Sequence, residues 1–279
     1  MIISKDIGIV IFGYNRPSHL MRILIALEDY KIKKIHFFLD GPKNLKDKIV
    51  QKQILFMVKQ SKNIKITIHK SKKNLGIAKS ITSGMDKMAK KYKKIIVIED
   101  DCIPRREFFH FFGKMLKKKS LFEKIGAICA YQFPNIHKKN NYTLHPVELD
   151  FFIPWGWATT SAHWTEYRKK KNNLKNLSIK SKFPKIIKRL NKLVKNNEKN
   201  IWSLNFIIYN FLQGKKFIFP DKSLIKNIGF DGTGVNSKNT NVFETFYTPS
   251  KKIYDNIIYD NKLRKRQEQI LNKHLKYFY

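Results

Sequence analysis

Residues 93–104 read KKIIVIEDDCIP. Four apolar residues, Ile95–Ile98, run directly into three consecutive acids, Glu99, Asp100 and Asp101. A short unbroken apolar run that stops at a polar turn predicts a strand buried on both faces. Carboxylates at the end of such a strand are costly unless something positive compensates them. The acids are therefore worth tracing to whatever lies around them.

Upstream, the same grammar repeats three times. Ile7–Phe12 is a run of six apolar or glycine residues, a first strand that leads into GYNR, residues 13–16. Pro17 suits the first helical position, and Leu20, Ile23, Leu24 and Leu27 then recur on one helix face. Ile35–Leu39 predicts a second strand, stopped by the Asp40-Gly41-Pro42 turn. A helix follows, with Val50, Ile54, Met57 and Val58 along one side. Ile64–His69 predicts a third strand, then an Asn74-Leu75-Gly76 loop and a helix carrying Ile77, Ile81, Met85 and Met88. Strands alternating with helices at this spacing imply an α/β fold: a Rossmann-like, mostly parallel sheet flanked by helices. Ligands of such sheets sit beyond the carboxyl ends of the strands. GYNR, Asp40, the Asn74–Gly76 loop and the three acids all fall there.

Beyond about residue 120 the pattern loosens. Ile125–Ala130 predicts a strand, and 134–149 reads as a polar loop. FFIPWGWATTSAHW, 151–164, holds three tryptophans. Residues 164–226 carry 17 Lys or Arg against three acids. Within them Ile186, Ile187, Leu190, Leu193 and Val194 form an apolar helical stripe among lysines. Phe217–Phe219 predicts a late strand, followed by the glycine-rich GFDGTGVN, and 260–279 predicts a basic helix. The expected division is a nucleotide-sugar-binding half over 1–120, an acceptor-side half of the same domain over 121–250, built of helices and loops, and a basic tail or helix over 251–279.

The 279 residues are 42% hydrophobic and carry a net charge of +36. That apolar share excludes a disordered chain. No apolar run approaches the roughly 18 residues that span a bilayer. The N-terminal stretch reads as a strand rather than a signal peptide. Two cysteines, Cys102 and Cys129, are too few for a disulfide framework and point to a reducing cytosol. The charge invites polyanions. Yet only 8 of the 57 basic residues are Arg, and Lys is the poorer bidentate phosphate ligand. No helix-turn-helix, zinc-finger or RNP pattern appears, so nucleic acid is not the expected partner.

Mg2+ or Mn2+ bridging a diphosphate would suit the three acids, since such ions take one or two carboxylates plus phosphate oxygens. Strand alternation would place Glu99 and Asp101 on one face and Asp100 on the other. Arg16 could meet a diphosphate, and so could Lys79, one turn into the third helix. Asp40 reads either as a turn former or as a hydrogen-bonding group for a nucleobase.

The ordered series IVIFGYNRPSHLMRIL (9–24), FFLDGP (37–42), NLGIAKSI (74–81) and KKIIVIEDDCIPRREFFHFF (93–112) resembles the nucleotide-binding half of GT-A glycosyltransferases. More narrowly it is similar to the N-acetylglucosaminyltransferase I family and its bacterial relatives. PWGWATTSAHW (154–164) and NIGFDGTGVN (227–236) look like that family's acceptor-side and closing motifs, so the likeness spans roughly residues 7–236. It implies a metal-dependent transfer of a sugar from a nucleotide-diphosphate donor, UDP-linked by the family's leaning, with inversion at the anomeric carbon. It implies that Asp101 binds the metal, that Glu99 and Asp100 contact sugar, ribose or metal-bound water, and that Asp40 reads the base with Tyr14, Asn15 and Arg16 nearby. Asn74 and Lys79 join the donor side. Trp155, Gly156 and Trp157 would line the sugar and acceptor cleft, unless they pack in the core.

One departure concerns the catalytic base. Relatives often carry an acid after the Trp of a W-D-x-x-W segment, whereas here Ser203 follows Trp202. A serine hydroxyl does not take a proton at neutral pH without its own base. Glu198 and Asp231 are the candidate acids for the base, and Asp231 is the preferred one. A hydroxyl of a bacterial surface glycan or its lipid-linked precursor is the expected acceptor, reached at the inner face of the cell membrane by a cytoplasmic enzyme with peripheral attraction to anionic lipid. The alternatives are a catalytically impaired relative that only binds sugar nucleotide and a basic nucleic-acid-binding protein.

Overall fold

A computed structural model describes residues 3–134, 145–174, 187, 188, 192, 202–233, 239–245, 247, 249 and 252–274. The apolar runs become strands as expected: β1 (Ile7–Gly13), β2 (Lys34–Leu39), β3 (Lys65–Lys70) and β4 (Lys94–Glu99). Helices α1 (Pro17–Asp29), α2 (Leu45–Gln60) and α3 (Ile77–Ala89) connect them. Pro17 does open α1. Asn44 caps α2 by accepting the Asp47 N–H at 2.9 Å, which satisfies one of the free donors of the first turn.

The later elements are β5 (Cys102–Pro104), α4 (Phe108–Met115), α5 (Leu121–Lys124), β6 (Ile125–Cys129), β7 (Pro146–Leu149), β8 (Trp157–Thr160), α6 (Ser161–Leu174), α7 (Trp202–Leu212), β9 (Lys216–Pro220), β10 (Ile225–Asn227) and α8 (Asn261–His274). Eight strands form one sheet in the order β3-β2-β1-β4-β8-β6-β9-β7, while β5 and β10 pair separately. Strands β1, β2, β3 and β4 run parallel; β8 is antiparallel to β4 and β6, β9 is parallel to β6, and β7 is antiparallel to β9. All but β7 and β8 therefore point the same way, so the carboxyl edge of the first half continues into the second. The mostly parallel, helix-flanked α/β architecture is borne out.

Alternation along the central strands divides the core. Ile9, Ile11, Ile96 and Ile98 pack beneath α1, α2 and α4. Val10, Phe12, Ile95 and Val97 face α3, α6 and α7. On that second side, Asp86 of α3 accepts the Trp164 indole N–H at 2.8 Å and the Nε and Nη2 edge of the Arg168 guanidinium at 2.9–3.1 Å, tying α3 to α6.

Two expectations are corrected. The polar stretch 134–149 contains a strand, β7: Pro146–Leu149 is short, but Val147 and Leu149 turn inward against β9. The Trp157 ring, expected in the acceptor cleft, is 0% exposed. Phe152, Trp164, Trp202 and Phe206 enclose it with centroids 5.3–6.1 Å away, leaving no face for a sugar. The C-terminal segment is docked: Ile258 bridges to Val147, and α8 buries Leu263, Gln267 and Leu271. Most of the apolar stripe at 186–194 lies outside the described residues, as do Glu198 and the Val235–Asn236 end of the closing motif.

Candidate functional site

The acids after β4 meet a cation from the start of α1. Arg16, the N-cap of α1, places Nη2 2.5 Å from Asp100 Oδ1 and 3.1 Å from Asp101 Oδ2. The Tyr14 backbone N–H donates to Asp100 Oδ2 at 3.2 Å. Strand alternation was expected to part Asp100 from Asp101. Instead β4 ends at Glu99, and the following turn lets both aspartates reach one guanidinium.

Burial sets the electrostatics of this cluster. It pushes Asp100 up to about 6, with Asp101 adding repulsion and Arg16 opposing. Burial likewise lifts Glu99 well above the usual carboxylate range, and the charges of Asp101 and Asp100 lift it further. For Arg16 burial works against the cation, but the two aspartates outweigh it and hold the guanidinium charged. Among the described residues Arg16 Nη1 is buried without a hydrogen-bond partner, a donor at the acid cluster.

The GYNR turn is fastened from below by α2. The Tyr14 hydroxyl donates to Asp47 Oδ2, and Asn15 Nδ2 donates to Asp47 Oδ1 at 2.8 Å. Burial and Asp47 together push the Tyr14 phenol up to about 12. Gln51 Nε2 donates to the Tyr14 and Asp40 carbonyls at 3.1 and 2.8 Å. The side chains of Tyr14 and Asn15 thus position the turn that carries Arg16.

Asp40 clips one loop to another. Its carboxylate accepts N–H groups from Gly41, Leu75 and Gly76 at 2.8, 2.9 and 3.0 Å. Asn74 Nδ2 donates to the Gly41 carbonyl at 2.8 Å. Asp40 is buried, so this carboxylate holds the Asn74–Gly76 loop against the end of β2. Lys79 stands exposed in the first turn of α3, at the same edge.

The closing motif returns to the acids. The Ile228 N–H donates to the Asp101 carbonyl at 2.8 Å, and β10 pairs with β5 just beyond the acids. At Gly229 a Cβ would lie 2.2 Å from Asp101 Oδ2, so only glycine lets this backbone pass the carboxylate. Asp231 follows, its side chain 41% exposed, with Oδ2 3.2 Å from His19 Nε2. Its Oδ1 accepts the Thr233 N–H and hydroxyl at 3.0 and 2.7 Å. Burial favours protonation of Asp231, but the Thr233 hydrogen bonds and His19 outweigh it and lower the carboxyl below its ordinary value. Phe230 packs on Trp155 at 5.1 Å.

Trp155 is half-buried and its ring also meets Tyr131 and Phe243 at 4.6 and 5.4 Å. It lies at the carboxyl edge because β8 runs antiparallel and begins there. Gly156 has φ +70°, and a Cβ would strike Ile225 at 2.7 Å; it lets the chain turn from Trp155 into β8. Gly156 is buried, so its place in the cleft wall is a backbone one.

The structure brings together Arg16, Glu99, Asp100, Asp101 and the Gly229–Asp231 loop. It separates Trp157, and it buries Ser203 at the first turn of α7. Sequence reasoning missed three participants. Asp47 was legible as the third residue after the cap Asn44; His19 gave no signal, being a lone polar residue on an otherwise apolar helix face. The third is Asp221, just past β9, opposite His145 across the β7–β9 register. Among the described residues its Oδ1 is buried without a partner, and burial pushes the carboxyl up to about 7. Three strand spacings, roughly 14 Å, part β9 from β4.

Carboxylate oxygens suit a hard divalent cation in donor chemistry, with phosphate and water supplying most of the ligands. Among the described residues Asp101 Oδ1 is met by the Cys102 thiol alone, at 3.3 Å, so it keeps ligating capacity. Among the described residues no three or more His, Cys, Asp or Glu side chains are grouped to hold a metal by themselves.

No protein family in a scan of known families matches the chain, and no curated protein does. Solved structures resemble it in backbone only. A Bacillus anthracis protein named as a glucose-1-phosphate thymidylyltransferase, in complex with a sucrose, aligns over 76% of this chain and 85% of its own, at 10% identity and a TM-score of 0.40. A mannosyltransferase from Pyrobaculum calidifontis, in complex with GDP-Man and Mn2+, aligns over 75% of this chain and 69% of its own, also at 10% identity and a TM-score of 0.40. These similarities are too low to carry chemistry from one chain to the other.

Proposed function

We propose that this chain is a glycosyltransferase that moves a sugar from a nucleotide-diphosphate donor to a hydroxyl group, with a divalent cation, Mn2+ or Mg2+, as cofactor. The observation that supports this best is the Arg16–Asp100–Asp101 cluster at the carboxyl edge, with the uncommitted Arg16 Nη1 beside it. A guanidinium shared between acids and a free donor suits a diphosphate: its negative charge compensates Arg16 while the cation compensates the acids.

In this reading Asp101, aided by Glu99, holds the cation, which neutralises charge on the departing diphosphate when bound. Arg16 donates to a diphosphate oxygen. The loop clipped by Asp40 and Asn74 lies where the base and ribose would sit, with Lys79 over the phosphates. Phe230 and Trp155 give an apolar wall to the sugar ring. The Gly229–Asp231 loop closes over Asp101 and keeps water from the diphosphate.

A carboxylate must deprotonate the attacking hydroxyl. Asp231 is the candidate nearest the acids, and Asp221 is a second, favoured by its unpartnered oxygen and its higher proton affinity. A single base on the side opposite the leaving group inverts the anomeric centre. A UDP-sugar donor and a surface-glycan or lipid-linked acceptor, met at the inner face of a bacterial membrane, complete the reading and rest on the motif resemblance alone.

The test is a thermal-shift panel of nucleoside diphosphates with and without Mn2+. A metal-dependent rise with one nucleotide supports the reading and names the donor class. Asp101→Ala should abolish the rise while the apo protein stays folded. No rise with any nucleotide sinks the proposal. A rise without sugar transfer or donor hydrolysis favours a binding-only relative, for which the buried Ser203 at the acid position is the supporting observation.

A further inference from the structure

Helix α2 turns an unusual face outward. Leu45 is 72%, Ile49 52% and Phe56 68% exposed. At 100° per residue these three positions, with Lys52, fall within a 60° stripe. Lys48 and Lys59 flank the stripe and Lys46 borders its other side, all exposed. The one acid of the helix, Asp47, points inward onto Tyr14 and Asn15. The opposite face buries Gln51, Ile54 and Val58, so the helix is fully used by the core without these apolar residues. The neighbouring α1 adds Met21 and Ile25, 42% and 52% exposed, beside Arg22. Its acids, Glu28 and Asp29, lie in the last turn, away from the carboxyl edge.

Helices α1 and α2 cover the same face of the sheet, and both begin at its carboxyl edge. Five of the seven large apolar side chains exposed among the described residues sit on this pair, so the surface is concentrated rather than scattered. We propose that the outer face of α2, with α1 beside it, docks on an anionic lipid bilayer. Leu45, Ile49 and Phe56 enter the headgroup boundary, and Lys46, Lys48, Lys52 and Lys59 meet the lipid phosphates. Charge decides between occupants. A second copy would set a +36 chain against itself, whereas an anionic surface complements the outer side of α2, with its four lysines and no outward acid. Among the described residues no helix is long and apolar enough to cross a membrane, so the contact is peripheral. The geometry sets the reaction edge beside the bilayer, whichever reaction occurs there.

The experiment is co-sedimentation of the full chain with vesicles of phosphatidylcholine alone or with one-quarter phosphatidylglycerol, at 50 and 500 mM NaCl as roughly low and high screening. Wild type should bind the anionic vesicles at low salt and lose most binding at high salt. Leu45→Ser/Ile49→Ser/Phe56→Ser should weaken partitioning about tenfold or more with an unchanged melting temperature. Lys48→Gln/Lys52→Gln/Lys59→Gln should weaken it more than Lys262→Gln/Lys265→Gln/Lys273→Gln, which removes equal charge from α8. Equal binding by the serine variant, equal loss in the two lysine variants, or no wild-type binding overturns the proposal. Dimerisation without vesicles that the serine variant abolishes also overturns it, in favour of a second copy. Melting temperatures of all variants, read beforehand, separate misfolding from lost docking.

Discussion

The Nη2 of Arg16 and the Oδ1 of Asp100 lie 2.5 Å apart, although 84 positions separate them in the chain. One comes from the cap of α1 and the other from the turn after β4, and neighbouring strands β1 and β4 bring them together. The contact both stabilises a buried acid pair and occupies it.

Removing the cation should therefore expose a cost and open a site. Arg16→Ala leaves buried acids uncompensated and should lower stability by about 3 kcal/mol. Part of that loss should be regained with millimolar Mn2+, more than wild type gains, because the cation then meets unshared carboxylates. Melting temperatures of both proteins across a metal titration check this. A variant indifferent to metal would place the cation elsewhere.

Gly229 offers a steric test of the closing loop. A Cβ there would stand 2.2 Å from Asp101 Oδ2. Gly229→Ala should displace the carboxylate and weaken nucleoside diphosphate binding by roughly tenfold or more, about 1.4 kcal/mol. The overall fold should survive, as read by circular dichroism, because the loop lies outside the sheet.

The two candidate bases can be separated kinetically. Loss of a general base typically costs about 10²–10⁴ in kcat. Asp231→Asn and Asp221→Asn should differ by that margin, with the true base leaving KM for the donor little changed. If neither variant slows turnover by tenfold, the proton leaves by another route.

The tryptophans at 155 and 157 should behave oppositely. Trp157→Ala empties a fully enclosed site and should cost about 3–5 kcal/mol by urea denaturation. Trp155→Ala should cost much less and instead raise KM for the acceptor, since its ring is only half-buried beside Phe230.

Acid should weaken the fold through neutral histidines. Burial, with help from His69 and nearby lysines, holds His36 down to about 4. Burial also holds His163 down to about 4, although its hydrogen bond to Asn210 opposes this. Unfolded histidine titrates near 6.5, so below that pH the unfolded chain takes up protons that the folded chain refuses. This contribution is complete above pH 6.5 and declines as pH falls towards 4, by up to about 3 kcal/mol for His36. Urea midpoints at pH 7.5, 5.5 and 4.5 should fall less steeply for His36→Gln than for wild type.

Much of this was written in the chain itself. The runs Ile7–Phe12, Ile35–Leu39 and Ile95–Ile98 announce strands because a segment buried on both faces must be apolar throughout. The same runs place GYNR, Asp40 and the acids at one sheet edge, since a parallel sheet puts every strand's end there. Pattern alone did not find β7, because a four-residue strand inside a polar stretch carries too little periodicity to stand out. It left open whether Trp157 lines a cleft or fills the core; a side chain's burial depends on what other elements bring against it, here Trp164 and Trp202. Only the tertiary structure sets Arg16 on Asp100 and Asp101, Gly229 against Asp101, and His19 on Asp231. Local sequence governs which elements form, because their forces act within a few residues. Contacts between distant residues arise from strand order and the turns at strand ends, where a one-residue change of path redirects a carboxylate.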